Sequence, residues 1–299
     1  MQQPVSIEND HLAIKVYPNL GGKVGSIIDK ADRHELLFNF PAEIPTENYY
    51  DIPYGDSWYA GWDECFPAIA PGPYPARPYQ GIGVPDHGEL WGLSTVAVPT
   101  KDGVTTVWYG LRFGYRLTRK LYLDGPSVVA EYTLINLSPF EFRFVWAQHA
   151  LLSMTSPVEL RMPQGAPFSI SHDHDGKPVD QSFPWPITAA GDDLSQPSSL
   201  PAKRGWKIYS ADAIASTATV HYPERNRQLQ ISYASADATG YWGVWINTGG
   251  WESHRHVAVE ATTGRADRIE QAVKDGTAAR IGPSGRCEWK TVWTCAAAT

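Results

Sequence analysis

Alternation with period two, a near absence of helical periodicity, and turns built from Gly, Pro, Asn and Asp predict an all-β fold of stacked antiparallel sheets. Leu12–Tyr17 reads as the first strand and stops at Pro18 and Asn19. Residues 21–29 make a second, opened by a glycine pair. Residues 105–112 and 115–123 alternate in the same way, and Asp124, Gly125 and Pro126 turn the chain into a strand over Ser127–Asn136. Further strands are expected over 141–150, 206–210, 216–222, 228–233, 241–247, 255–261 and 286–294. Only 265–275 has the composition of a helix, with Gly276 at the expected stop. Two long irregular stretches, 41–84 and 163–205, are rich in turn residues. Loops of that length in a compact fold serve as walls or lids, and the first is expected to form one side of a cleft.

The 299 residues hold no Gly/Ser run, charge block or low-complexity stretch, so a single domain over 1–299 is expected. A net charge of −7 and the lack of a basic stripe argue against a nucleic-acid partner, because phosphate backbones need clustered Lys and Arg. No apolar run is long enough to cross a bilayer, and the first residues carry no basic segment followed by an apolar one. A cytoplasmic protein with no membrane partner, monomer or homodimer, is the expectation. Cys65, Cys287 and Cys295 are odd in number and widely spaced, which fits neither a disulfide framework nor a zinc finger. No metal and no cofactor is expected, and Cys65 reads as a buried small thiol. Twelve Trp and fifteen Tyr are many for this length. Indole faces stack on the C–H faces of sugar rings, so the excess leans toward a small carbohydrate ligand, although large β proteins also use Trp as core filler.

Three stretches each carry one proton-transfer residue in a strand-like setting: 85–92 with His87, 144–150 with His149, and 256–261 with Glu260. Two imidazoles and a carboxylate can move two protons on one sugar, an acid at one oxygen and a base at its neighbour. Histidine suits this because its unperturbed pKa, about 6.5, lies near operating pH. Glu260 ends an otherwise apolar strand, where an unpaired carboxylate is costly and burial raises its pKa.

These segments, in this order, resemble the aldose 1-epimerase (galactose mutarotase-like) superfamily. Gly21-Gly22-Lys23-Val24 is similar to its opening segment, and Phe66-Pro67 followed by His87-Gly88 to the pattern of its hexose-phosphate epimerase branch. Asn136-Leu137-Ser138 followed by Gln148-His149-Ala150 resembles the segment with the second histidine, and Val259-Glu260 before a short helix resembles the segment with the glutamate. The resemblance implies a large antiparallel β-supersandwich with its site on the concave face of a sheet. It also implies His149 as the acid at the ring oxygen, Glu260 as the base at the C1 hydroxyl, and His87 holding and polarising the sugar. In the hexose-phosphate branch an aromatic, a small residue and an arginine follow the His-Gly pair. Here Glu89, Leu90 and Trp91 follow, so the resemblance implies a free sugar or sugar acid rather than a sugar phosphate.

Supporting contacts are expected from Asp86, Glu89 and Trp91 around His87, and from Arg77 before it. Asp63 and Glu64 could line the cleft as acceptors of hydroxyl hydrogens, and Arg119 is either a ligand contact or a plain surface charge. Trp245 and Asn247 lie late in a strand expected beside Glu260. The His/Asp run at 171–176 could bind a metal but reads first as a turn, and His254-Arg255-His256 could reach the edge of the site but reads first as a solvated strand end. Two other functions share these features. Tyr49, Tyr50, Asp63 and Glu64 keep open a lyase or glycoside-cleaving enzyme, and a sugar-binding protein without chemistry is the third reading.

Overall fold

A computed structural model describes residues 3–172 and 178–298, and among them two large antiparallel sheets lie face to face. One has eleven strands. In spatial order they are Val5–Glu8, Leu12–Tyr17, Lys23–Asp29, Trp62–Cys65, Ala147–Ser153, Arg255–Thr262, Tyr241–Thr248, Gly205–Ser210, Pro167–His172 and Pro178–Pro184, with the short His34–Glu35 strand paired to Lys23–Asp29. The other has eight: Glu159–Arg161, Ala218–Tyr222, Arg227–Ala234, Arg286–Ala297, Ser127–Asn136, Tyr115–Asp124, Gly103–Tyr109 and Val96–Pro99. The expected strands are present, and the all-β reading holds.

The inner faces meet in one hydrophobic cluster that includes Leu117, Val259, Ile208 and the indoles of Trp62, Trp108, Trp146, Trp289 and Trp293. Trp62 stacks on Trp293 of the opposite sheet with ring centroids 5.1 Å apart. Much of the tryptophan excess is therefore core filler.

A buried carboxylate sits inside this apolar layer. Neighbouring residues of a strand leave opposite faces, so Trp62 and Glu64 point between the sheets while Asp63 and Cys65 point out. Glu64 Oε1 accepts from Trp62 Nε1 at 3.0 Å, Arg119 at 2.9 Å and the Tyr132 hydroxyl at 2.8 Å. Its Oε2 accepts from Trp146 Nε1 at 2.8 Å. Two of these donors belong to the facing sheet. A buried carboxylate is tolerated when donors surround it in this way. Arg119 also donates to the Gly22 carbonyl at 2.5 Å.

Several expectations change. Arg119 and Glu64 are neither at the surface nor in the cleft. Arg119 has the same strand parity as Tyr115, Leu117 and Leu121, which all face inward, and it follows them. Arg77 rides exposed at the tip of a two-strand ribbon, Gly72–Pro73 against Gly83–Val84, and is no ligand contact. The helix is shorter than 265–275 and spans Ile269–Lys274. Its expected first turn is a series of bends instead, where the Asp267 carbonyl accepts the N–H groups of Ile69 and Ala70 at 3.0 and 2.9 Å. The stretch 41–84 contributes Trp62–Cys65 to the middle of the larger sheet, and 163–205 contributes the hairpin Pro167–His172 and Pro178–Pro184 at its edge. No helix among the described residues is long and apolar enough to cross a membrane.

Replacing Arg119 by Met strips one partner from a buried ion pair and is expected to cost about 3–5 kcal/mol of unfolding free energy. Arg77→Ala should change it by less than about 0.5 kcal/mol. Urea denaturation of both variants checks this, and equal small shifts would show that the Glu64 cluster does not hold the sheets together.

Candidate active site

Strand register brings the candidate residues together. Lys23–Asp29, Trp62–Cys65, Ala147–Ser153, Arg255–Thr262, Tyr241–Thr248 and Gly205–Ser210 lie side by side. Asp63 is paired with His149. The pairs Ala147–Thr262 and Leu151–Ala258 bracket Glu260 against His149. Glu260 is paired in turn with Gly243, and Gly243 with Tyr209. Asp63, His149, Glu260 and Tyr209 therefore form one row across the outer face. Gly243 leaves space in that row: a Cβ there would come within 2.9 Å of Glu260 Oε2.

Glu260 is fully buried. Its Oε2 accepts from Lys207 Nζ at 2.5 Å, while Oε1 has no hydrogen-bond partner and lies 4.0 Å from His149 Nε2. Burial raises the Glu260 pKa, and the Lys207 ammonium opposes that rise. Lys207 also lies 3.8 Å from Asp267, whose other carboxylate oxygen is 3.5 Å from His172 Nδ1. Tyr209 donates to Asp267.

His149 contacts the Tyr54 hydroxyl through Nδ1 at 3.2 Å, which turns Nε2 toward Glu260. Burial holds its pKa well below the ordinary histidine value, and the nearby positive charge of His87, Lys207, His256 and Lys23 adds to the effect. At neutral pH the imidazole is uncharged.

His87 is brought in by a strained turn. Its φ of 56° is in the left-handed region, where a non-glycine residue needs support from its surroundings. That support comes from its N–H to the Ile69 carbonyl at 2.6 Å and from Gly88, which lies against Phe66 so closely that a Cβ would meet the Phe66 carbonyl oxygen at 2.1 Å. The His87 ring stacks on Tyr54 at 3.7 Å and stands edge-on to His149 at 4.9 Å. Its Nδ1 is 3.0 Å from Asp86 Oδ1. Burial works against the Asp86 charge, yet the His87 ring brings its carboxyl below the usual range, so Nδ1 donates and Nε2 is the free nitrogen.

These groups open into a cavity of about 310 Å³ lined by Tyr54, Asp86, His87, His149, His172, Lys207, Trp245, Trp251, His256 and Asp267, with Ile69 and Leu151 as apolar wall. The 41–84 segment forms one side through Tyr54, Gly55, Ile69 and Ala70.

Of the sequence candidates, His87, His149, Asp86 and Trp245 line this cavity, and Glu260 lies within reach of His149. Others have structural partners. Asp63 is buried in an ion pair with Lys23 Nζ at 2.5 Å and does not line the cavity. Glu89 accepts from the Tyr50 hydroxyl at 2.7 Å and the Arg112 N–H at 2.8 Å, away from the cavity wall. Trp91 is buried and donates to the Asp86 carbonyl at 2.8 Å, which places it behind the His87 turn. Asn247 holds a loop: it donates to the Trp251 carbonyl at 2.9 Å and accepts the Gly249 and Trp251 N–H groups at 3.1 Å.

Sequence reasoning missed Tyr54, Lys207, Trp251 and Asp267, and placed His172 in a turn and His256 at a strand end, although both line the cavity. Lys207 stands alone between apolar neighbours on a strand, the same signal that marked Glu260. His256 shares period-two parity with Glu260, so it faces the cavity and is buried rather than solvated at a strand end. Tyr54 and Asp267 lie in irregular chain and carried no signal. Of the run at 171–176, Ser171 and His172 end a strand, and the remainder lies outside the described residues.

No protein-family model matches this chain, and no curated protein does. Solved structures do. The Slr1438 protein from Synechocystis sp. PCC 6803 superposes with a TM-score of 0.76 at 14% identity, over 99% of this chain and 96% of that one. A galactose mutarotase-like protein from Clostridium acetobutylicum gives 0.72 at 12% identity, over 98% and 95%. The GalM/aldose epimerase homologue from C. elegans gives 0.70 at 11% identity, over the full length of both. Likeness at these identities establishes the fold, and the chain has the galactose mutarotase-like architecture that its motif order implied.

His256 offers a test of the cavity's electrostatics. Trp245 Nε1 donates to His256 Nε2 at 3.1 Å, and burial, then the neighbouring His254, push its pKa down to about 3. Between 6.5 and that value the unfolded chain binds a proton there and the native one does not. Stability is therefore lost as pH falls through this window, by up to about 1.4 kcal/mol per pH unit. His256→Phe, which retains the ring against Phe38, should remove this one-proton slope when urea midpoints are measured across the window. An unchanged slope would show that the imidazole charges freely in the folded protein.

Proposed function

We propose that this chain is an isomerase of the aldose 1-epimerase type, interconverting the anomers of a free sugar or sugar acid. The observation that carries the reading is the His149–Glu260 pair. An imidazole nitrogen on the cavity wall and an unpartnered carboxylate oxygen buried behind it stand 4.0 Å apart. The two oxygens of a hemiacetal share one carbon, so the acid and base that act on them must be neighbours of this kind. A cavity of about 310 Å³ suits a monosaccharide better than a polymer, being at the small end of the roughly 300–1,000 Å³ range of ligand sites. Trp245 and Trp251 offer indoles to the C–H faces of a ring, and the Lys207, Asp86 and Asp267 side chains offer partners for hydroxyls.

In this reading Glu260 Oε1 takes the proton of the C1 hydroxyl while His149 Nε2 delivers one to the ring oxygen. The C1–ring oxygen bond breaks and the carbonyl forms. Rotation about C1–C2 then presents the other carbonyl face, and the same two groups run the steps in reverse. Lys207 keeps Glu260 ionised against the cost of burial. Tyr54 orients His149, and Asp86 orients His87 against the substrate. An imidazolium placed where burial and neighbouring cations disfavour it is a strong acid, formed in small amount and ready to give up its proton.

A second reading, a sugar-binding protein without turnover, draws on one observation: Lys207 occupies one oxygen of the would-be base. The two readings part on exchange itself.

Proton NMR of anomer exchange in freshly dissolved α-D-glucose, α-D-galactose and D-glucuronate tests the proposal. Glu260→Gln and His149→Asn should each lower the catalysed rate by about 10²- to 10⁴-fold. Glu260 must be ionised and His149 protonated, so the rate should trace a bell. Its two limbs follow the raised Glu260 pKa and the lowered His149 pKa. Saturable sugar binding with no acceleration at any pH would leave the binding protein and sink the isomerase.

A further inference from the structure

Beyond this reading, and independent of it, we propose that a soft divalent cation of the zinc class binds just behind the cavity wall, held by Cys65 Sγ and one ring nitrogen each from His87 and His149. Cys65 is buried, and two imidazoles stand beside it. It leaves the same face of its strand as Asp63, two residues from the partner of His149. The bridge between Phe66 and Gly88 sets the His87 turn beside it. One donor atom from each of Cys65, His87 and His149 lies within 4.8 Å of the other two. Tetrahedral zinc, with bonds of about 2.3 Å to sulfur and about 2.0–2.1 Å to nitrogen, holds such donors about 3.3–3.8 Å apart. Small side-chain rotations close that difference.

Three further features favour a metal over a chance cluster. First, both histidines are oriented from behind. His87 donates Nδ1–H to Asp86 at 3.0 Å, and His149 meets the Tyr54 hydroxyl through Nδ1 at 3.2 Å. Metal-ligating imidazoles have this arrangement, with the second nitrogen fixed by a carboxylate or another polar group. Second, Lys207 is already paired with one oxygen of the Glu260 carboxylate, and the other, Oε1, has no partner. That oxygen, 4.0 Å from His149 Nε2, or a water completes a four-coordinate shell. Third, one thiolate and two imidazoles are donors that select zinc-like ions over calcium or magnesium. Binding forms a metal–sulfur bond, releases the thiol proton to solvent, and changes no oxidation state. A metal seated there occupies the histidine that the proposed isomerase reaction would use as its acid, so cation and sugar exclude each other.

Cobalt(II) is the probe, titrated into the full chain after treatment with a chelator. The wild type should bind one cobalt per chain with a thiolate-to-cobalt charge-transfer band in the near ultraviolet, and zinc should displace it. Cys65→Ala should lose that band. Asp86→Asn, which keeps all three donors, should retain the band and weaken binding by about 10- to 100-fold. Circular dichroism checks that each variant is folded. Absence of binding, binding without the band, or a band that survives Cys65→Ala (pointing to Cys287 or Cys295) overturns the proposal. None of these outcomes bears on sugar exchange, which is measured separately in metal-free buffer.

Discussion

The buried carboxylate of Glu64 is the constraint on which the site depends. Its donors come from its own sheet through Trp62 and Trp146 and from the facing sheet through Arg119 and Tyr132. A slip of one residue in the Trp62–Cys65 strand would turn Glu64 out and drive Asp63 and Cys65 into the apolar layer. It would also leave the Arg119 guanidinium without its partner between the sheets. The register that satisfies Glu64 is the same one that sets Asp63 beside His149, and through it Glu260. Core electrostatics thus fixes the outer face one residue away.

On that outer face, charge is arranged in pairs that burial makes strong. Lys23 with Asp63 and Lys207 with Glu260 stand on either side of His149. Each ammonium opposes the rise in carboxylate pKa that burial causes, and burial, helped by both ammoniums, pushes the pKa of the imidazole between them down. An imidazole beside a carboxylate with one unpartnered oxygen is a group of adjustable protonation. It can take a proton, pass one on, or accept a metal ion. Ring stacks, Tyr54 on His87 and Phe38 on His256, back these side chains with aromatic neighbours.

The irregular segments contribute as much as the strands. Tyr54 comes from a 3₁₀ turn, and Asp267 from the bends before the helix. The Ile69 and Ala70 N–H groups tie those bends to the loop carrying the His87 turn. One side of the cavity is therefore a set of loops bonded to one another, while the other side is sheet. Asn247 does similar work at the rim by holding the Trp251 loop in place.

The amino-acid order alone determined the strand pattern and the all-β class and singled out His87, His149 and Glu260, because period-two alternation and a charged residue in an apolar run are local signals. Arg119 and Lys207 were readable in the same way: Arg119 keeps step with Leu117 and Leu121, and Lys207 interrupts Trp206 and Ile208. What parity cannot say is which face of a strand meets the other sheet, since that depends on packing against residues far away in the chain. Hence Glu64 and Asp63, adjacent in sequence, have opposite fates, one tied to Arg119 in the core and the other to Lys23 on the outer face. Only the tertiary structure decided that Cys65, His87 and His149 converge, and that Tyr54, Asp267 and His172 join them. Those meetings are made by cross-strand register and by loop-to-loop hydrogen bonds between segments remote in the chain, and no local pattern encodes them.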